Sequence, residues 1–347
     1  MTTKMKSTRR SRTDIVGRKR AYNPLFLSGV IVRLAVMGVF MVGRTSSGEE
    51  PTAVPKFFPL ARQIAMSPDR NCVAVASAKA IFAFKWGSAE SAVSTGAKNE
   101  DKCVAVSDDL SLVVIADASC TINGWEPNTN KVWEIARSNA KPYSVALSVD
   151  RKTVLLGTWN GEIIAVSVVS GQTVWSREHG IGKVAIATGG LGGDVATGGS
   201  DGVVRFWRIE NGVSSNHIAI QESAIVQLRY SDSGKYIVVA GGFDQIATVV
   251  DVEQRKVQKE FKAPAVVCCV DISPSDRFIA VGTGSVAKQS SSGNAGGLFV
   301  WGRESGKLIT KRGIHKIEAK TVLFVENGRA LLSTGTNGIV STRFDFP

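Results

Sequence analysis

The residues of this chain best suited to bind metal or act as nucleophiles are three histidines and five cysteines. The histidines are His179, His217 and His315; the cysteines are Cys72, Cys103, Cys120, Cys268 and Cys269. Metal chelation needs such ligands at set spacings, and neither His-x-x-x-His nor Cys-x-x-Cys occurs. Cys268 and Cys269 lie in an apolar, strand-like run, where neighbouring side chains face opposite ways, so they read as packing rather than chelation. Gly189–Gly193 invites comparison with a phosphate cradle, but no Lys-Ser/Thr follows and no helix opens there, so it reads as a turn. Gly282–Gly297 is longer and holds Lys288, and its glycine and serine content reads as a flexible loop. No nucleophile–base pair stands out, so we expect no catalytic residue, no metal and no cofactor, and a protein that is not an enzyme.

The cysteine count is odd and every cysteine sits in or beside an apolar run, which fits reduced, buried thiols of a cytosolic or matrix protein. The formal net charge is +12, but residues 1–50 hold ten basic side chains against three acidic ones. The rest of the chain is only mildly basic, which argues against nucleic acid as a partner of that part.

The positioning elements show in a repeat. A turn signal recurs between pairs of apolar runs: Ser67-Pro68-Asp69, Ser107-Asp108-Asp109, Ser148-Val149-Asp150, Ser231-Asp232-Ser233-Gly234, Ser273-Pro274-Ser275-Asp276 and Glu326-Asn327-Gly328. The glycine run at 189–193 fills the gap in the series. The steps are about 40 residues except the last, the spacing of four strands per blade in a radial stack of sheets. One period illustrates this: short apolar strands at Val184–Ala187, Asp194–Gly199 and Val203–Trp207, then a more polar outer strand after Glu210-Asn211-Gly212. The last repeat offers only three strands, and Ala53–Leu60 could supply the fourth, closing the ring and removing exposed sheet edges. The expected fold is all-β: a seven-bladed β-propeller of four-stranded blades over residues 53–347, preceded by a basic and apolar segment at 1–52.

Ala196–Trp207 resembles the second and third strands of a WD repeat, and Ser273–Gly282 resembles the first turn and second strand of that family. Third-strand tryptophans recur at Trp86, Trp125, Trp207 and Trp301, and the resemblance covers roughly residues 56–347. It implies a scaffold that holds protein partners through loops at its faces. No repeat ends in Trp-Asp, and the Gly-His that opens many family repeats survives only loosely near His179 and His315, where the resemblance implies a structural histidine. The family's His–Ser/Thr–Asp–Trp hydrogen-bond network is therefore expected to be incomplete in most blades. Ile163–Trp175 also resembles the strand–Gly–Trp units of quinoprotein-type propellers. That resemblance implies the alternative of an organelle- or envelope-anchored propeller acting in assembly or ligand binding.

Three readings fit the N-terminal segment. Leu25–Val42 is an apolar run broken by Arg33. As a membrane span, its large side chains contribute about −3 to −7 kcal/mol against roughly +3 for a central arginine. The Arg, Ser and Thr content also fits a mitochondrial presequence, and a basic, disordered tail of a cytoplasmic or nuclear protein fits as well.

Partner contacts are expected where loops interrupt the repeat. The repeat places Trp159 and Phe243 in hairpin turns between second and third strands, on the face that meets partners in WD-type blades. Tyr143, just before a first strand, would share that face, and Lys288 lies in the equivalent loop of the sixth blade.

Overall fold

Apolar runs recurring every 40 residues or so can be buried on both faces only if the sheets stack against one another. The computed structural model describes residues 61–77, 80–88, 91–94, 102–189, 194–284, 296–335 and 338–343. They form seven antiparallel sheets, each built from strands consecutive in sequence. We number these blades 1 (61–94), 2 (102–137), 3 (142–178), 4 (185–219), 5 (227–262), 6 (266–315) and 7 (319–343). Blades 1–6 have four strands, and blade 7 has three among the described residues. Ala53–Leu60, expected to complete blade 7, lies outside the described residues, as does the whole segment 1–52. Among the described residues no helix is long and apolar enough to cross a membrane.

The core is divided into seven apolar clusters, each shared by two adjacent blades. The seventh closes the ring by packing Ile64, Val73, Val75 and Phe84 of blade 1 against Leu323, Val325 and Leu332 of blade 7. Every sheet is therefore covered on both faces, and the second strands are almost wholly apolar. The outermost strands are mostly exposed, as in Ser214–Ala219 of blade 4.

The recurring Ser-x-Asp turn has a local cause. The Ser67 hydroxyl donates to Asp69 Oδ1 at 2.6 Å and accepts the Cys72 amide at 2.9 Å, so one side chain ties the turn at both ends. Ser107 does the same with Asp109 and Leu112, and Ser148 with Asp150 and Thr153. In blades 5 and 6 the partners are Ser233 and Ser275. The residue three positions after the turn serine is left-handed: Arg70, Leu110, Arg151 and Asp276 have φ between 57° and 61°. Gly234 takes that position in blade 5 without steric cost.

Trp125, Trp207 and Trp301 occupy third strands and are buried. Trp86 does not, because the third strand of blade 1, Ile81–Lys85, ends one residue earlier. The quinoprotein-like hairpin is the outer half of blade 3. Its Trp175 is buried and donates to Ile209 O of blade 4 at 2.7 Å, so this tryptophan is an inter-blade clamp.

The polar network is complete in blade 4. Thr197 Oγ1 accepts the Trp207 indole N–H at 2.8 Å and lies 2.8 Å from His179 Nδ1. Arg205 Nη1 donates to His179 Nε2 at 2.9 Å and to Asp201 Oδ2 at 2.7 Å. With Nε2 accepting, the proton sits on Nδ1 and is donated to Thr197. Blade 7 keeps a shorter version, His315 Nε2 to Ser333 Oγ at 3.0 Å. Both histidines are buried and structural in position.

Candidate partner-binding face

One end of the propeller carries the hairpin loops between second and third strands and the connections between blades. In blade 3 that hairpin is Trp159-Asn160-Gly161, between the strands Thr153–Thr158 and Glu162–Ser167. Thr158 Oγ1 accepts the Glu162 amide and donates to Asn160 Oδ1, at 2.9 and 2.6 Å. Backbone bonds then pin the loop from both sides: Trp159 N–H to Lys141 O before the blade, and His179 N–H to Gly161 O after it. Gly161 has φ of +94°, and a Cβ there would lie 1.6 Å from Gly180 O, so the crossing excludes a side chain.

The pinned loop holds the Trp159 indole outward, 43% exposed. Its ring meets Tyr143 edge-to-face, with centroids 5.6 Å apart at 88°. Lys183 Nζ stands 4.2 Å from the indole centroid and Lys141 Nζ 5.0 Å, so the tryptophan carries positive charge on its flanks. Tyr143 lies within the innermost strand, Pro142–Leu147, rather than just before it. Its phenol crosses the mouth of the central channel and donates to Val226 O at 3.1 Å. Burial pushes that phenol up to about 12. Tyr143 thus supports Trp159 from beneath while its hydroxyl is committed within the fold.

Phe243 sits in the corresponding loop of blade 5 and is 68% exposed. Trp159 and Phe243 share the face but stand on separate blades, with the blade 4 turn Gly199–Gly202 between them. The stretch expected as a loop, Gly282–Gly297, overlaps the ends of the second and third strands of blade 6, Phe278–Gly284 and Gly296–Gly302, and Lys288 between them lies outside the described residues. Sequence reasoning passed over Ile181, which is 91% exposed in the link from blade 3 to blade 4. Its signal is an isoleucine between Gly180 and Gly182, a position with no strand to bury it. Among the described residues, the exposed aromatics Trp159 and Phe243 and also Ile181 stand at this end, whereas Val149 and Val169 are exposed in turns at the other.

Among the described residues no three His, Cys, Asp or Glu side chains are grouped as metal ligands. The five cysteines are free. Burial pushes the Cys268 thiol up to about 11 and Cys269 well above its ordinary value, which suppresses their thiolates.

No protein-family model matches the chain. Eukaryotic translation initiation factor 3 subunit I of Kluyveromyces lactis is 28% identical over 135 residues, 39% of this chain and 38% of that protein. Meiotic fizzy-related protein 1 of Schizosaccharomyces pombe is 23% identical over 195 residues, 52% of this chain and 43% of that protein. The match thus spans about two-fifths of the length of each curated relative. Both relatives are WD-repeat proteins, which agrees with the seven blades found here.

Proposed function

We propose that this WD-repeat-like, seven-bladed propeller is a non-catalytic interaction subunit that holds protein partners on the face bearing Trp159. The observation that carries the reading is the pinned indole of Trp159, exposed at the tip of a rigid hairpin and flanked by Lys141 and Lys183. An exposed aromatic on a preorganised loop loses little entropy on binding and buries a large area, the property of an interface anchor. The lysines favour a partner segment that brings carboxylates alongside an apolar side chain. Phe243 and Ile181 extend the apolar area on the same face. The word "subunit" in the name of the first relative is in keeping with a place in a larger assembly. The free cysteines suit a reducing compartment, the cytoplasm or nucleus.

The test uses the full chain as bait, with quantitative mass spectrometry of the proteins captured by the parent and by Trp159→Ala and Phe243→Ala. Loss of the same proteins from both variants, with melting temperatures near that of the parent, supports the reading. Unchanged capture by both removes it.

A further inference from the structure

The innermost strands of all seven blades line a central channel of about 330 Å3. Two residues before each first turn, four blades place an alanine on this wall: Ala65, Ala105, Ala146 and Ala187. Blade 5 has Arg229 there instead, and blade 6 has Asp271. A charge on the wall of a channel costs desolvation energy unless something pairs with it, so each exception calls for a partner.

Asp271 has its partners. It accepts from Arg70 Nη1 and Nη2 at 2.8 and 3.2 Å and from the Phe324 amide at 2.6 Å. Arg70 uses all five of its donors, the remaining ones going to Asp232, Phe324 O and Ile272 O. Asp232 gives both oxygens to Arg70 Nε. The two carboxylates at this end of the channel are thus committed to Arg70. Arg229, beside them on the blade 5 strand Gln227–Tyr230, makes no hydrogen bond and no ion pair with any described residue. Burial lowers its basicity from the ordinary value; the nearby Asp271 carboxylate opposes that shift and the Arg70 charge adds to it. The alanines at the matching positions of blades 1–4 keep this level of the channel wall small-sided. Arg70 reaches across one end of the channel, and the Tyr143–Val226 hydrogen bond lies towards the other.

We propose that the central channel holds a small oxyanion, a carboxylate or a phosphate, bound by the Arg229 guanidinium. A planar fork of donors matches two oxygens of either group, and a charge-assisted pair of this kind is stronger than a neutral hydrogen bond. The site lies inside the channel, next to the Trp159 face through Tyr143, and the proposal rests on Arg229 rather than on Trp159.

The experiment uses the full chain, dialysed free of multivalent anions and carboxylates. Inorganic phosphate and acetate are titrated separately at constant ionic strength, by calorimetry and by melting temperature. One saturable site for at least one anion is expected, or stoichiometric release of a tightly held anion when the purified protein is denatured. Which of the two binds identifies the source. Arg229→Ala introduces the side chain that blades 1–4 already accept, and should weaken binding by about tenfold or more. In anion-free buffer it should melt no lower than the parent, because it removes an unpaired charge. Arg229→Gln serves if the alanine variant fails to fold. The proposal is overturned if neither anion binds saturably and none is released, or if both bind equally well to the Arg229 variants.

Discussion

Arg70 and Asp271 are 201 residues apart in the chain, yet Arg70 Nη1 donates to Asp271 Oδ2 at 2.8 Å. The contact joins the first turn of blade 1 to the innermost strand of blade 6, across the blade 7 interface that closes the ring. Asp271 is 1% exposed at its side chain and Arg70 13%, so neither is screened by bulk solvent. Replacing Asp271 by Ala leaves Arg70 short of an acceptor beside Arg229, and should cost about 3–5 kcal/mol. Urea unfolding of Asp271→Ala, Arg70→Met and the double variant measures it. The double variant should be more stable than the sum of the single losses implies. Simple additivity would mean that the pair does not act as one unit.

The two tryptophans Trp207 and Trp159 should separate stability from binding. Trp207 is buried and donates to Thr197, so Trp207→Ala should cost about 3–5 kcal/mol through lost burial and a cavity. Trp159 stands outward with one edge-to-face neighbour, so Trp159→Ala should cost under about 1.5 kcal/mol. Thermal melts of the two variants distinguish these outcomes. A large loss in Trp159→Ala would make that residue part of the core.

Gly161 should be intolerant of any side chain. Gly161→Ala drives a Cβ onto Gly180 O and holds an L-residue at φ of +94°, a strained combination costing about 1–3 kcal/mol before the clash is counted. The loop must then shift and take Trp159 with it. The variant should both melt earlier and capture less partner, whereas Trp159→Ala should do only the second.

His179 should give the propeller a mildly acid-sensitive blade. Burial, and then the Arg205 charge, push its imidazole down from 6.5 to about 4, so it is neutral in the fold at pH 7. The unfolded chain takes up a proton as pH falls below 6.5, and the fold does not until about 4. The stability from the neutral ring is complete above 6.5 and is lost as pH falls towards 4. It amounts to about 3 kcal/mol. Melting temperature against pH for the parent and His179→Gln checks this. The variant should start lower and show a shallower decline between pH 6.5 and 4. Parallel curves would count against His179.

What the sequence determined by itself was whatever short-range physics controls. The Ser-x-Asp turns were legible because each is tied by one serine within five residues, as Ser67 ties Asp69 and Cys72. Their spacing sufficed to place the blades, and the hairpin positions of Trp159 and Phe243 followed from the register. The blade 4 network was under-read, because its family signature is a Gly-His and a Trp-Asp pair, while the folded blade recruits Thr197, Asp201 and Arg205. Other features needed the closed ring. Trp86 slipped past its strand, and Tyr143 proved to reach Val226, 83 residues away. Nothing in the chain before folding marks Arg70 as saturated and Arg229 as unpaired. Both are arginines in or near a first turn, and only the circular order of seven blades decides which carboxylates each can reach.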